Sequence, residues 1–416
     1  MTTDQTLATS FELSQLPAAF YENPYPTYAA LRDHDPVRTL DNGSVFVTRY
    51  ADVVELYRNP AASSDKKVEF KPKFGDTPLY EHHTTSLVFN DPPLHTRVRR
   101  IIMGAVNQRA VTRMEQGIVD LVDGLIDALA AKAANTGSVD LIDDFAAAIP
   151  VEVIGNLLGV PRAERAPLRG WSLAILAALE PTLTPAMHDQ GNRAVTEFTA
   201  YLKGLIAERT AHPLNPDEDV LTRLIQGERS GPAVATSAGE KLTEAELLQN
   251  CIFMLNAGHE TTSNTIGNGL YALMHRPEEA QRLRDDPLLI NTAVEEILRF
   301  DSPLQFNNRR LIADTTIAGQ PYPAGTLVTM CIGSANRDER QFPDPTRFDV
   351  ARKPNLHLAF GHSAHACVGM NVARLEVRIA VGRLLARFKT LEPTEAPDRD
   401  LRARFRGFRH LPARLA

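Results

Sequence analysis

The residues with the most chemical content form the run Phe360-Gly361-His362-Ser363-Ala364-His365-Ala366-Cys367-Val368-Gly369, ahead of an amphipathic helix carrying Ala373-Arg374-Leu375-Glu376. A thiolate just before a helix is stabilised by backbone N–H groups and the positive helix end, so Cys367 is suited to bind a metal at neutral pH. The other cysteines, Cys251 and Cys331, are distant in sequence, which disfavours a zinc site and a disulfide framework. One thiolate suffices as the axial ligand of haem iron, where it pushes electron density toward dioxygen and favours O–O cleavage. Taken alone, a single cysteine is more often a small buried apolar side chain. The surrounding residues have to decide.

A second run, Ala257-Gly258-His259-Glu260-Thr261-Thr262, pairs a carboxylate with a hydroxyl. Side by side they can import and position protons; a solvated Glu beside a helix-bonded Thr is the plain alternative. His259-Glu260 also begins like the zinc motif HExxH, but its second histidine would fall at Ser263. Further upstream, Asp91-Pro92-Pro93-Leu94-His95-Thr96-Arg97-Val98-Arg99 places His95 and Arg99 on one helix face. Glu296-Ile297-Leu298-Arg299 is, in isolation, a surface ion pair worth a few tenths of a kcal/mol, roughly.

In this order, the motifs resemble the cytochrome P-450 superfamily. Its haem-binding signature, Phe-Gly-x-Gly-x-His-x-Cys-x-Gly, is matched at Phe360, Gly361, His365, Cys367 and Gly369, with Ser363 where the family usually has glycine. The departure bears on the local turn, since glycine is preferred where φ is positive. Matches to the family's Ala/Gly-Gly-x-Asp/Glu-Thr, Glu-x-x-Arg and Asp-Pro-Pro-x-His-x-x-x-Arg motifs extend the resemblance over residues 91 to 369, including Gly333 to Pro345, a stretch with no assigned chemistry.

The resemblance implies a mainly α fold with a small β region, and haem b (iron protoporphyrin IX) between the long central helix and the cysteine loop. It makes Cys367 the axial ligand, Glu260 the importer of protons and Thr261 their positioner. Ala257 and Gly258 would let dioxygen and backbone approach closely, and Phe360 and Gly369 would border the cofactor. His95, Arg99, Arg309 and His365 would converge on the two propionates, where positive or hydrogen-bonding groups neutralise charge in an apolar pocket. Glu296, Arg299 and Arg347 would form a buried charge network holding the cysteine loop.

Substrate contacts are placed by position alone: Phe253, Asn256 and Ala257 before the acid; Leu304, Gln305 and Phe306 after the Glu-x-x-Arg helix; the stretches 74–89 and 171–183, with Trp171; and Phe405 to Phe408. Asn256 and Gln305 are expected to hydrogen-bond a small or medium apolar molecule bearing at least one polar group. The implied reaction inserts one oxygen atom from dioxygen, by hydroxylation or O-demethylation, with electrons from NADH or NADPH through a ferredoxin and a ferredoxin reductase. Arg97, Arg100, Arg374 and Arg378 could form a positive surface for that acidic donor; solvated faces are the equal alternative. A peroxide-dependent haem oxygenase and a non-catalytic haem sensor are the rivals, and the Glu260-Thr261 pair argues against both.

Positioning these residues requires long helices. Apolar residues at Val111, Met114, Ile118, Leu121, Val122, Leu125 and Leu129 predict a core-facing helix over 109–134. Thr243 and Glu246 make a capping-box start to a pattern running to His275 before Pro277. At 1.5 Å per residue this spans about 50 Å, so it is a central element; Gly258 within it costs roughly 1 kcal/mol relative to alanine. Residues 227–240, rich in small side chains, read as a loop. Strands are expected at Val45 to Thr48, Thr316-Ile317 and Leu327 to Met330, the last two around a turn at Pro321 to Gly325.

The composition is that of a globular protein: 416 residues, 43% hydrophobic and 23% charged. A balance of 45 basic against 51 acidic residues, net −6, gives no sign of a nucleic-acid partner. An acid at Asp4 and the lack of a basic opening or apolar stretch exclude an export signal, and no apolar run approaches the ~20 residues that span a bilayer. The expectation is a cytoplasmic, unanchored monomer with a flexible segment at 1–20 and one haem-thiolate monooxygenase domain at 21–416, its chain ending too soon for a reductase.

Overall fold

The apolar stripe from Val111 to Leu129 becomes the helix Gln108–Thr136, started by the Asn107 side chain on the Ala110 N–H and closed by Gly137 at φ 74°. It packs against Met370–Arg387, the helix that follows the cysteine run. The computed structural model describes residues 2–216, 218–227 and 241–416. From residue 228 onward, the loop expected at 227–240 lies outside them.

The capping box at Thr243 and Glu246 forms as expected, and the helix Glu244–Met274 runs for 31 residues. It is the axis of the molecule. Helices Pro78–Thr85, Ala148–Leu157, Ala166–Ala177, Pro185–Ala211, Ile290–Phe300 and Met370–Arg387 all pack against it, and their apolar faces merge into the largest core cluster. No helix among the described residues is long and apolar enough to cross a membrane.

The β region is small. Its main sheet has the order Val37–Thr39, Val45–Val47, Leu327–Cys331, Phe306–Leu311, Ala62–Ser63, with only the Val45–Val47 and Leu327–Cys331 pair parallel. Thr315–Ile317 pairs with Gln320–Tyr322, so part of the expected turn is strand. Side chains alternate across a strand, which sets Phe306 and Arg309 on opposite faces of Phe306–Leu311. Phe306 packs on Phe46 and Tyr28, at ring distances of 5.3 and 6.4 Å.

The segment expected to be flexible, 1–20, carries the helix Thr3–Thr9 and buries Ala8 and Phe11 in the same cluster as Phe46 and Phe306. Phe11 lies 4.8 Å from the Phe46 ring, so an apolar sheet face gives this segment something to cover.

Candidate haem and active site

Cys367 precedes a helix, as its sequence context requires: Gly369 caps Met370–Arg387. The loop is closed by the Cys367 N–H on the Phe360 carbonyl at 2.8 Å and the Gly361 N–H on the Leu358 carbonyl at 2.8 Å. Cys367 as a residue is half-buried. Burial pushes its thiol pKa up, while the Gly369 N–H, Arg99 and Arg374 pull the other way without prevailing. A cation at the sulfur would favour the thiolate.

Ser363, in the signature's glycine place, has φ 59°, and Gly361 has φ 68°. The left-handed conformation is therefore present, and serine bears its cost. Ser363→Gly is expected to raise stability by about 1 kcal/mol, read from the denaturant midpoint. An unchanged or lower midpoint would show that the Ser363–His362 side-chain hydrogen bond, 2.7 Å, outweighs the strain.

The propionate candidates do converge. The His95 and His365 rings stack at 3.9 Å, and His95 Nε2 is buried with no hydrogen-bond partner among the described residues. Burial first, then the charges of Arg309, His95 and Arg99, drive His365 down to about 3. His95 is lowered by burial and by Arg99 and Arg309, with Asp91 opposing. Arg309 is buried, lies over the Tyr57 ring at 5.5 Å and donates to the Asn308 carbonyl at 3.0 Å. Arg99, Arg309, His95 and His365 thus lie within electrostatic reach of one another, and among the described residues Asp91 is the acid that opposes them, an arrangement that fits a group bearing two carboxylates.

From Glu246 to Leu270 the central helix is buried except at Phe253, Ala257, Gly258 and Thr261. Three of these recur every four residues and form one stripe. Thr261 Oγ donates to the Ala257 carbonyl at 2.6 Å. Gly258 does something else: a Cβ there would lie 2.7 Å from Ile154 Cδ1, so its lack of a side chain admits the helix Ala148–Leu157. Glu260 points off the stripe, 2% exposed, and pairs with Arg402 of the C-terminal loop; its Oε2 has no hydrogen-bond partner among the described residues.

The charge network differs from expectation in one member. Glu296 and Arg299 are both 0% exposed, joined at 2.7 and 2.8 Å. The second arginine on the carboxylate is Arg352, at 3.1 Å, with Asn355 at 3.2 Å and the Asp349 N–H at 2.9 Å. Arg347 contributes its carbonyl to Arg299 and Arg352 while its side chain is exposed. The turn after it reverses the chain, so the residue five positions on reaches inward. Arg402 was also missed, although the alternation Arg402, Arg404, Arg406 signals one charged side of an extended segment.

Several positional guesses at a substrate pocket go elsewhere. Gln305 accepts from the Tyr28 hydroxyl at 3.1 Å and donates to the Ser302 carbonyl at 2.7 Å, and Phe306 belongs to the aromatic cluster on the sheet's other face. Trp171 stacks on Phe198 at 4.9 Å and donates to Glu197. Leu304 and Phe405 bridge to each other, Leu304 against the sheet core and Phe405 buried beside Arg402. Asn256 differs from these: its amide N–H is on His82 Nε2 at 3.3 Å, but its Oδ1 is buried with no hydrogen-bond partner among the described residues. Of the expected positive surface, Arg97 is paired with Glu246, Arg374 with Glu295 and Arg378 with Glu115, so much of its charge is matched within the chain.

A family model described as Cytochrome P450 matches residues 172–408, more than half of the chain. The chain belongs to the cytochrome P450 family. It is 38% identical to the Vitamin D(3) 25-hydroxylase of Pseudonocardia autotrophica, over 88% of this chain and 87% of that one. Among solved P450 structures it resembles P450BioI, in complex with hexadec-9Z-enoic acid ligated acyl carrier protein, at TM-score 0.88 and 32% identity, covering 96% and 99% of the two chains. It also resembles CYP109E1 from Bacillus megaterium, in complex with testosterone, at TM-score 0.84 and 29% identity, covering 96% and 99%. The protein is a P450 monooxygenase, an oxidoreductase of a haem- and dioxygen-using family, with the mainly helical P450 fold.

Proposed function

We propose that this P450 hydroxylates or O-demethylates a small or medium apolar molecule bearing at least one polar group, with electrons from NADH or NADPH through a ferredoxin and its reductase. The observation that carries the site assignment is the gathering of His95, His365, Arg99 and Arg309 at the Cys367 loop, with Asp91 the acid that opposes them among the described residues. The named relatives act on or hold apolar molecules with an oxygen function, which supports the substrate class.

In this reading Cys367 holds the haem iron, the four basic groups hold the propionates, and Phe360 and Gly369 border the group. Haem, when bound, supplies activation of dioxygen, so that one oxygen atom enters the substrate and the other leaves as water. Phe253 and Ala257 present an apolar face that positions substrate and excludes water. Thr261 Oγ spends its proton on the Ala257 carbonyl and so offers lone pairs to an incoming donor; rotating off the carbonyl frees the proton for delivery. Glu260 keeps one oxygen on Arg402 and can hold a proton at Oε2.

The test is turnover of a panel of apolar alcohols and ketones by the haem-loaded protein with ferredoxin, reductase and NADH under isotopically heavy dioxygen. One heavy oxygen per hydroxylated product molecule is expected, or one per formaldehyde released where a methyl ether is cleaved. Product formed with added peroxide alone would overturn the electron-donor reading, and none under any condition would favour a sensor. Thr261→Ala is expected to keep haem while product per NADH falls roughly tenfold or more and hydrogen peroxide rises. Full coupling in that variant would remove Thr261 from proton delivery.

A further inference from the structure

We propose that the substrate is selected through an uncharged hydroxyl group, recognised by His83 together with the carboxamide oxygen of Asn256. This deepens the preceding reading and rests on it. His83 lies on the helix Pro78–Thr85, which packs against the central helix. It is 1% exposed, and neither ring nitrogen has a hydrogen-bond partner among the described residues. Its ring is caged by Phe74 at 5.2 Å, Phe89 at 5.5 Å, Phe70 at 5.6 Å and His82 at 5.1 Å.

The neighbouring pair shows which atoms remain unmatched. His82 Nδ1 lies 3.1 Å from Gln249 Oε1, an acceptor, so Nδ1 carries the proton and Nε2 is the lone pair that accepts from Asn256 Nδ2 at 3.3 Å. The amide of Asn256 is thereby oriented. Its Oδ1 is buried without a partner among the described residues, and the residue adjoins Ala257 on the open stripe. Buried polar atoms in native proteins are nearly always paired, so three orphans, two on His83 and one on the amide that its neighbour His82 holds, point to a partner that comes from outside the chain.

The chemistry of that partner follows from the donor and acceptor set. Burial, then the charges of His82, Lys73 and Arg404, hold His83 well below its ordinary value, so its ring is neutral and offers one N–H and one lone pair. An alcohol has one O–H and two lone pairs, and can accept from the imidazole N–H while donating to Asn256 Oδ1. A carboxylate can only accept, so it offers nothing to Asn256 Oδ1, and it would lose its hydration among three phenylalanines.

A matched series tests this on the haem-loaded full chain by titration calorimetry: adamantanol, adamantane and adamantane carboxylate, with cholestanol and cholestane as a larger skeleton. The alcohol is expected to bind about tenfold or more tighter than its hydrocarbon, the loss attached to one buried hydrogen bond left unmade. His83→Phe should erase that preference by weakening the alcohol alone, and Asn256→Leu should reduce it. Equal binding of alcohol and hydrocarbon by the wild type, as when ordered water alone satisfies the histidine, overturns the proposal without need of a variant. So does tighter binding of the carboxylate, binding of neither alcohol, or an undiminished preference in His83→Phe. Haem uptake with a thiolate spectrum but no alcohol preference sinks this inference alone; failure to take up haem sinks the reading beneath it.

Discussion

Replacing Cys367 with serine is expected to abolish the red-shifted Soret band of the reduced carbonyl complex while leaving the helical circular dichroism intact. The backbone bonds that shape the loop, from the Cys367 and Gly361 N–H groups, do not involve the side chain. Serine is nearly isosteric and can accept the Gly369 N–H that now faces the sulfur. What it lacks is a soft, ionisable donor, since a hydroxyl stays protonated at neutral pH and is a poor partner for iron in this role. Cys251 and Cys331 are the internal controls. Both are buried and held protonated, pushed up to about 12 chiefly by burial, so their serine variants should keep the band. Retention of the band in Cys367→Ser would remove this sulfur as the ligand.

Arg299→Leu is expected to destabilise the protein by about 3–5 kcal/mol, because it leaves the Glu296 carboxylate buried without its bidentate partner. The damage should reach the cysteine loop. Arg299 also donates to the Asn336 carbonyl at 2.9 Å; the Asn336 side chain receives the Leu358 N–H at 2.7 Å, and the Leu358 carbonyl anchors Gly361. Loss of haem retention at temperatures the wild type survives, followed by absorbance, is the second expected readout. Arg347→Leu should stay within about 0.5 kcal/mol of wild type, since its exposed side chain takes no part in the network and its carbonyl is unaffected. Equal damage from the two variants would show that the network is not organised around Arg299 and Arg352.

The positions readable in advance share one property: their partners are close in sequence or their types admit few roles. Thr243 and Glu246 meet because a capping box is a local motif, and the Val111 to Leu129 stripe is a consequence of helical pitch alone. The positive φ at residue 363 belongs to a short turn and is visible in the signature despite the serine. Sequence spacing fails where a side chain's direction depends on distant chain. Arg352 displaces Arg347 because of a chain reversal, Glu260 meets Arg402 from 142 positions away, and Gln305 meets Tyr28 from 277 positions away.

By itself, then, the amino-acid sequence determined the family, the helix-dominated architecture, the lone thiol ahead of a helix and the set of basic residues gathered near it. The tertiary structure decided which arginine completes the buried carboxylate, what restrains the acid on the central helix, and that His83 rather than Gln305 lacks a hydrogen-bond partner among the described residues. The physical reason is that local hydrogen-bonded geometry is fixed by neighbours within a few residues, whereas the satisfaction of a buried polar atom depends on whatever the packing of the whole chain brings within about 3 Å of it.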